Sequence, residues 1–411
     1  MRWPCPGALA AVFTASKGER VNQANSVDRA AVLLERGGAL AAAGRPADAA
    51  AATGESVAIY RRLAAADSRT FAPLLASALS DHSANLVDLG RYETARDASG
   101  EAVAIYEGLD VVERVVAAPK YARACCNLGW VTLVLGDPDT ALTATLDAVQ
   151  MFRQLAQADP ARYERELPAV LTNLTLIWSA LENADEALAS GRQALTVARG
   201  LAEENPGDRA DLARVNLSLS APLRDVGLTN DAAACVEESV RLYRELARVH
   251  PAAYESALAT ALVTLTDFLA AADDHAGALA AAAEARRSLG RLPDRPRRTL
   301  ETNLVDTLWK LGQSLLTANP ADGVPVTTAV TELLRSLAST APEKYADSLA
   351  KALVNQTAAR AAAGDWEGAL QAVDAAIALL ESRAPAHAGA SALLASCRQS
   401  RDLVMKNRRR P

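Results

Sequence analysis

Aromatic residues are scarce: Phe, Tyr and Trp together make up 4% of the 411 residues, although 50% of the chain is apolar. Alanine and leucine supply most of that apolar half, and both are strong helix formers. Lysine is also rare, at 6 against 37 arginines, a bias of the kind a GC-rich genome produces. The net charge is −6, so no global positive field draws the chain to nucleic acid or to an anionic membrane. The five cysteines, Cys5, Cys125, Cys126, Cys235 and Cys397, are odd in number and fall at no metal-site or disulfide spacing. They read as reduced, partly buried thiols of a cytoplasmic protein.

No uninterrupted apolar run reaches the roughly 18 residues a membrane span needs. The longest candidate, SALATALVTLTDFLAAA, carries Asp267 and reads as a buried helix face. The opening MRWPCPGALAAVFTASKGER has one early arginine and an apolar stretch, but two prolines interrupt its start. It is expected not to act as a signal peptide. Phosphate-binding G-x-x-x-x-G-K-[ST], H-E-x-x-H and G-x-S-x-G are all missing. No catalytic residue, metal site or cofactor is expected.

What the chain does have is a period. Gly44, Gly90, Gly136, Glu182, Gly227, Asp273, Ala318 and Gly364 are spaced by 46, 46, 46, 45, 46, 45 and 46 residues. Five residues after each comes Ala49, Ala95, Ala141, Ala187, Ala232, Ala278, Gly323 or Ala369. Seven further on come Ser56, Ala102, Ala148, Ala194, Ser239, Ala285, Val330 and Ala376. A bulky apolar residue usually follows four positions later, as in Tyr60, Tyr106, Phe152, Tyr243, Leu289, Leu334 and Leu380, with Ala198 the exception. Each copy reads as a helix hairpin. Glycine ends the first helix in a left-handed conformation. Asp137 and Asp365 can cap the second, whose first turn suits Pro46 and Pro138. The small columns lie where two backbones approach closely.

The pattern Asn127-Leu128-Gly129, Gly136, Ala141, Ala148 resembles the tetratricopeptide repeat. The period does not match that family's usual 34 residues; the surplus lies in MFRQLAQ up to Pro160 and in the residues from there to Asn173, so both helices are lengthened. The resemblance covers about residues 27–385. HEAT and armadillo repeats, at about 40–47 residues, fit the period better, but the small columns and the N-L-G triplet favour the tetratricopeptide type. The expected fold is an all-α, right-handed solenoid of about eight hairpins at 27–385, after a poorly patterned segment at 1–26. A capping helix and basic tail at 386–411 would close it, with Leu393, Leu394, Cys397 and Val404 available for burial.

The seventh copy is degenerate, with Pro293, Pro296, Pro320 and Pro325 near its helix ends. Proline inside a helix costs about 3 kcal/mol, so these are expected to be connections. The one basic cluster, Arg286, Arg287, Arg291, Arg295, Arg297 and Arg298, lacks interleaved aromatics for nucleic acid and reads as a solvated connector.

The resemblance also implies a site. In tetratricopeptide domains the first helices line a concave groove that binds peptides, with the N-L-G asparagine and the residue four before it pointing in. Members that clamp the terminal carboxylate of a chaperone tail carry basic, Asn, Asn, basic, basic there. This chain supplies Arg123, Asn127, Asn173 and Arg214 and departs at Ser218, while Trp130 adds an apolar wall. Guanidinium grips a carboxylate bidentately and asparagine donates a further bond. The expectation is a protein or peptide partner, with no nucleic acid and no membrane. The alternative is a helical small-molecule sensor or enzyme using the groove as a pocket, or a regulatory part of a signalling assembly.

Overall fold

The computed structural model describes the backbone of residues 6–292, 294–382 and 388–408, and the side chains of 24–292, 297–382 and 391–408. Among these residues every regular element is a helix. The chain divides into two compact units, 1–235 and 236–411.

In the first unit, helices pair as α1 (Pro6–Ala42) with α2 (Pro46–Ala66), α3 (Ser68–Asp88) with α4 (Tyr92–Glu107), and α5 (Val111–Val134) with α6 (Pro138–Ala158). Then come a single turn α7 (Pro160–Tyr163), a 3₁₀ turn at Glu164–Glu166, and the pair α8 (Leu167–Ala180) and α9 (Ala184–Glu204). The helix α10 (Arg209–Asp225) follows, and the boundary between units falls within α11 (Thr229–Val249). The second unit continues with α12 (Pro251–Ala271) and α13 (His275–Leu289), α14 (Asp294–Ala318) and α15 (Val324–Thr340), and α16 (Pro342–Ala362) and α17 (Trp366–Glu381). The last helix, α18 (Ala388–Arg408), packs against α17 and buries Leu394, Cys397 and Val404. These are lengthened hairpins of the tetratricopeptide type. The segment that lacks pattern in the sequence is helical from Pro6 onward, while Cys5, Pro293 and Pro385 lie outside the described residues.

The turns explain the period. Gly44, Gly90, Gly136, Gly227 and Gly364 all have φ between 65° and 83°. Glu182 and Asp273 take the same left-handed conformation, at 56° and 58°, where a side chain costs about 1–2 kcal/mol. At each of these seven turns the following amide reaches five residues back. Asp137 N–H bonds to the Thr132 carbonyl at 3.0 Å, and Asn183 N–H to that of Trp178 at 2.9 Å. This is the Schellman closure, which satisfies carbonyls left over at a helix end. Asp137, Asn183, Asp274 and Asp365 then cap the second helix through the amides of Thr140, Glu186, Gly277 and Gly368. The seventh copy lacks the left-handed turn. There a 3₁₀ turn at Pro320–Gly323 replaces the first turn of the second helix, and Pro325 falls in the first turn of α15. The far end of α15 stays in step: Thr340 stands 22 residues past Ala318, as Ala158 stands past Gly136.

The small columns are fully enclosed. Ala49, Ala95, Ala141, Ala187, Ala232, Ala278 and Ala369 are all 0% exposed. Opposite them runs a second seam that the sequence shows less plainly. Seven residues before six of the turns stand Gly37, Ser83, Gly129, Thr175, Thr266 and Thr357; nine after the same turns stand Thr53, Ser99, Thr145, Gly191, Ala282 and Val373. Where the second helix offers threonine, the first has glycine. A Cβ on Gly129 would lie 2.1 Å from Thr145 Oγ1, and one on Gly37 would lie 2.5 Å from Thr53 Cγ2. Where both sides carry hydroxyls they bond. Ser83 and Ser99 both donate to the Ala95 carbonyl, and Thr175 and Ser190 lie 3.2 Å apart. Bulk is thus matched inside each hairpin, as interiors at near-crystalline density require.

Candidate functional site

Arg123, Asn127 and Trp130 stand on successive turns of α5, Asn173 stands on α8, and Arg214 and Ser218 stand on α10. Four of these six spend their polar groups on the protein itself. Arg123 Nη2 donates to Glu166 Oε1 at 2.8 Å, and that pair ties α5 to the 3₁₀ turn ahead of α8. Asn127 Nδ2 donates to the carbonyl and the hydroxyl of Ser80 at 3.0 and 3.1 Å, fastening α5 to α3 of the preceding copy. Arg214 pairs with Asp211 one turn back at 2.6 Å, and Ser218 donates to the Val215 carbonyl of its own helix. Trp130 and Asn173 are half-buried. The N-L-G asparagine of copy 3 is therefore a clip between neighbouring first helices. Near it, desolvation holds the Asp81 carboxyl above its ordinary range, against the pull of Arg123 and Lys120.

Arg123–Glu166 belongs to a series. Arg69 of α3 meets Glu113 of α5 at 3.6 Å, and Arg165 ahead of α8 meets Asp208 ahead of α10 at 3.4 Å, so each of the three pairs links one first-helix segment to the next. The second helices carry a matching series of their own. Arg61 of α2 bonds Glu101 of α4, Arg153 of α6 bonds Gln193 of α9, and Arg244 of α11 donates through Nε and Nη2 to the two carboxylate oxygens of Glu284 of α13, both at 2.9 Å. In all three the partners are 40 residues apart. The rung between α4 and α6 breaks the rule, because its two positions hold Glu107 and Asp147, both acids. Burial, then the charges of Cys125, Glu107 and Asp147, push up the Tyr121 phenol beside them, and its hydroxyl donates to Glu107 at 3.4 Å.

That irregular rung borders a cleft of about 370 Å³, lined by Val111, Arg114, Val115, Ala118 and Tyr121 of α5 and by Asp147, Gln150, Met151 and Gln154 of α6. The second unit has a cleft in the equivalent place, about 380 Å³, lined by Arg244, Arg248, Arg287 and Arg291 together with Glu255 and Glu284. Here the arginines are engaged: Arg291 pairs at 3.0 Å with Glu255, which is 7% exposed, and Arg244 holds Glu284. Nearby, Arg286 pairs with Glu332. The described part of the basic cluster thus acts largely as internal bracing, while the Arg295 side chain lies outside the described residues.

Cys125, Cys126, Cys235 and Cys397 are free thiols, two of them buried and two half-buried. Cys125 is buried beneath the first cleft, and burial pushes its thiol up. Its neighbour Cys126 is likewise pushed up, to about 12, mainly by burial. Among the described residues no group of three or more His, Cys, Asp or Glu is placed to hold a metal ion. Among the same residues no helix is long and apolar enough to cross a membrane.

No family model matches the chain, and no curated protein sequence matches it. Similar solved structures include BtubC (BKLC) from P. vanneervenii, at 19% identity and a TM-score of 0.44 over 60% of this chain and 92% of that one. A candidate kinesin light chain from Podosopora anserina, with nearly identical TPR-like repeats, is similar at 16% identity and a TM-score of 0.41 over 54% and 97%. A Rap protein complexed with competence and sporulation factor is similar at 13% identity and a TM-score of 0.44, over 87% of this chain and 99% of that one.

Proposed function

We propose that the protein is a non-catalytic binding scaffold of the cytoplasm, whose first-helix face in copies 3 to 5 takes an extended, carboxylate-bearing segment of a partner protein. The observation that carries this reading is the state of Arg123 and Arg214. Their side chains are 58% and 36% exposed, and each already holds a carboxylate, Glu166 or Asp211. Such solvent-exposed pairs contribute about 0–1 kcal/mol, so an incoming carboxylate can replace the internal one at little cost. Trp130 supplies an apolar wall one turn from Asn127, and Asn173 is the amide donor, since Asn127 is held by Ser80. The rigid helices fix these groups before binding, which lowers the ordering cost of association.

The test is fluorescence anisotropy of the full chain against a peptide library displayed once with free C termini and once amidated. Peptides that bind only with the free carboxylate are expected. For them, Arg123→Ala combined with Arg214→Ala should cost about 2–5 kcal/mol, as for loss of a desolvated charge partner. Affinity unchanged within twofold, with the circular dichroism spectrum intact, would move the site off this face.

A further inference from the structure

The cleft at the irregular rung adjoins an apolar face that no described residue covers. Val111, Val112, Val115 and Val116, in the first turns of α5, are 74%, 73%, 71% and 78% exposed. At about 100° per residue the four fall on one arc of roughly 140°, as wide as the stripe by which a surface helix normally meets its core. Valine is a mediocre helix former, so four exposed valines in two turns give the fold nothing that alanine would not. Two turns on, Pro119 stands inside α5 and removes the amide that would have bonded to the Val115 carbonyl. That acceptor is left without its helical donor on the same face.

The charge pattern indicates what would cover the valines. Glu107 and Asp147 occupy the rung where Arg61 meets Glu101 and Arg244 meets Glu284, so the place that a guanidinium takes in those rungs is bordered here by two carboxylates, of which Glu107 accepts the Tyr121 hydroxyl at 3.4 Å. Around it, Asp110 caps α5, Glu113 is paired with Arg69, and Arg114 gives one nitrogen to the Leu109 carbonyl. Lys120 lies toward Asp81. We infer that this surface docks an amphipathic helix of a partner protein, which lays apolar residues on the four valines and inserts an arginine or lysine between Glu107 and Asp147. The partner's cation would complete the broken rung. This site is separate from the first-helix face, and either can stand without the other.

The experiment selects binders to the full chain from a phage-displayed library of helical peptides, then measures the enriched peptides by anisotropy. Enriched sequences should carry apolar residues at i and i+4 and a basic residue beside them. Their binding should weaken at least tenfold in Val115→Asp/Val116→Asp, and equally in Glu107→Arg, which supplies the missing guanidinium from within. It should also weaken as salt rises from 50 to about 300 mM, because screening shortens to a few ångströms. All these positions are exposed, and circular dichroism checks that the fold is kept. Absence of enrichment, enriched peptides without a basic residue, or binding unchanged in Glu107→Arg would overturn the inference. Sedimentation velocity supplies the remaining arm. A wild-type dimer that Val115→Asp/Val116→Asp turns into a monomer would assign the face to a second copy of this chain and also overturn it.

Discussion

The clefts beside Asp147 and Glu284 stand at the same place in their hairpins, eleven residues past Gly136 and past Asp273. They have nearly the same size, about 370 and 380 Å³, yet their linings are opposite. In the second unit Arg244 bonds Glu284 and Arg291 covers the buried Glu255, so charge is matched within the chain. In the first unit the arginine is a glutamate, the lining includes Val111, Val115, Ala118 and Met151, and Glu107 and Asp147 face the rung with like charge. The backbone supplies the place in both; a few side chains decide whether it is closed or left open. In a repeat protein the informative position is therefore the one where a copy departs from its siblings.

The comparison can be broken most severely at the seam under the first cleft. Gly129→Thr would drive a side chain into Thr145 and should lower stability by about 1–3 kcal/mol in urea denaturation. Adding Thr145→Ala copies the pair that the second cleft uses, Thr266 with Ala282, and should recover more than half of the loss. A double variant no more stable than the single one would remove the seam as an explanation.

The two clefts should also differ in alkali. Cys125 and Cys126 lie under the first, where the second has Leu262 and Val263. Both thiols sit above their ordinary value when folded, Cys126 at about 12. The folded state thus binds protons that the unfolded state releases, so stability is full below about pH 9 and falls as pH rises from there toward 12. The denaturation midpoint followed from pH 8 to 11 should drop for the wild type and less for Cys126→Ala; equal slopes would contradict the buried-thiol account. A smaller effect lies at the turns. Asp273→Gly should raise stability by about 0.5–1 kcal/mol, and Gly136→Asp should lower it by about 1 kcal/mol, because each residue has φ above zero. Thermal midpoints that shift the other way would refute the assignment. Smallest of all, Glu107→Arg should stabilise by about 0–1 kcal/mol through an exposed pair with Asp147, and the gain should vanish in high salt.

Much of the fold was legible because its constraints are local. Only glycine enters the left-handed turn cheaply, so Gly44, Gly90 and Gly136 mark the period, and the copies with Glu182 and Asp273 are found by counting. The small columns follow from the same ruler, as would the 40-residue rungs had charged columns been aligned too. The helix beginning at Pro6 was not legible, since its residues show no clear amphipathic pattern. The site was harder for a different reason. Residue type places Asn127 on the first helix but cannot say that Ser80, 47 residues earlier, already accepts its amide. In the same way VVERVV reads as an apolar helix start, and whether any neighbour covers it depends on the length of α4, which ends at Glu107.

The matched seam has a consequence for how such a chain can be rearranged. Since glycine faces threonine in one hairpin, Gly129 with Thr145, and threonine faces glycine in the next, Thr175 with Gly191, the partners that must fit are separated by a single turn. A crossover at Gly136 would join the first helix of one copy to the second helix of another and set Gly129 against Gly191, or Thr175 against Thr145, leaving a void or a collision. A crossover in the connection at Leu109 or Asp159 passes each fitted pair on intact. The hairpin, rather than the helix, is the heritable module here, and viable recombinants of this array should have their junctions in the links between hairpins.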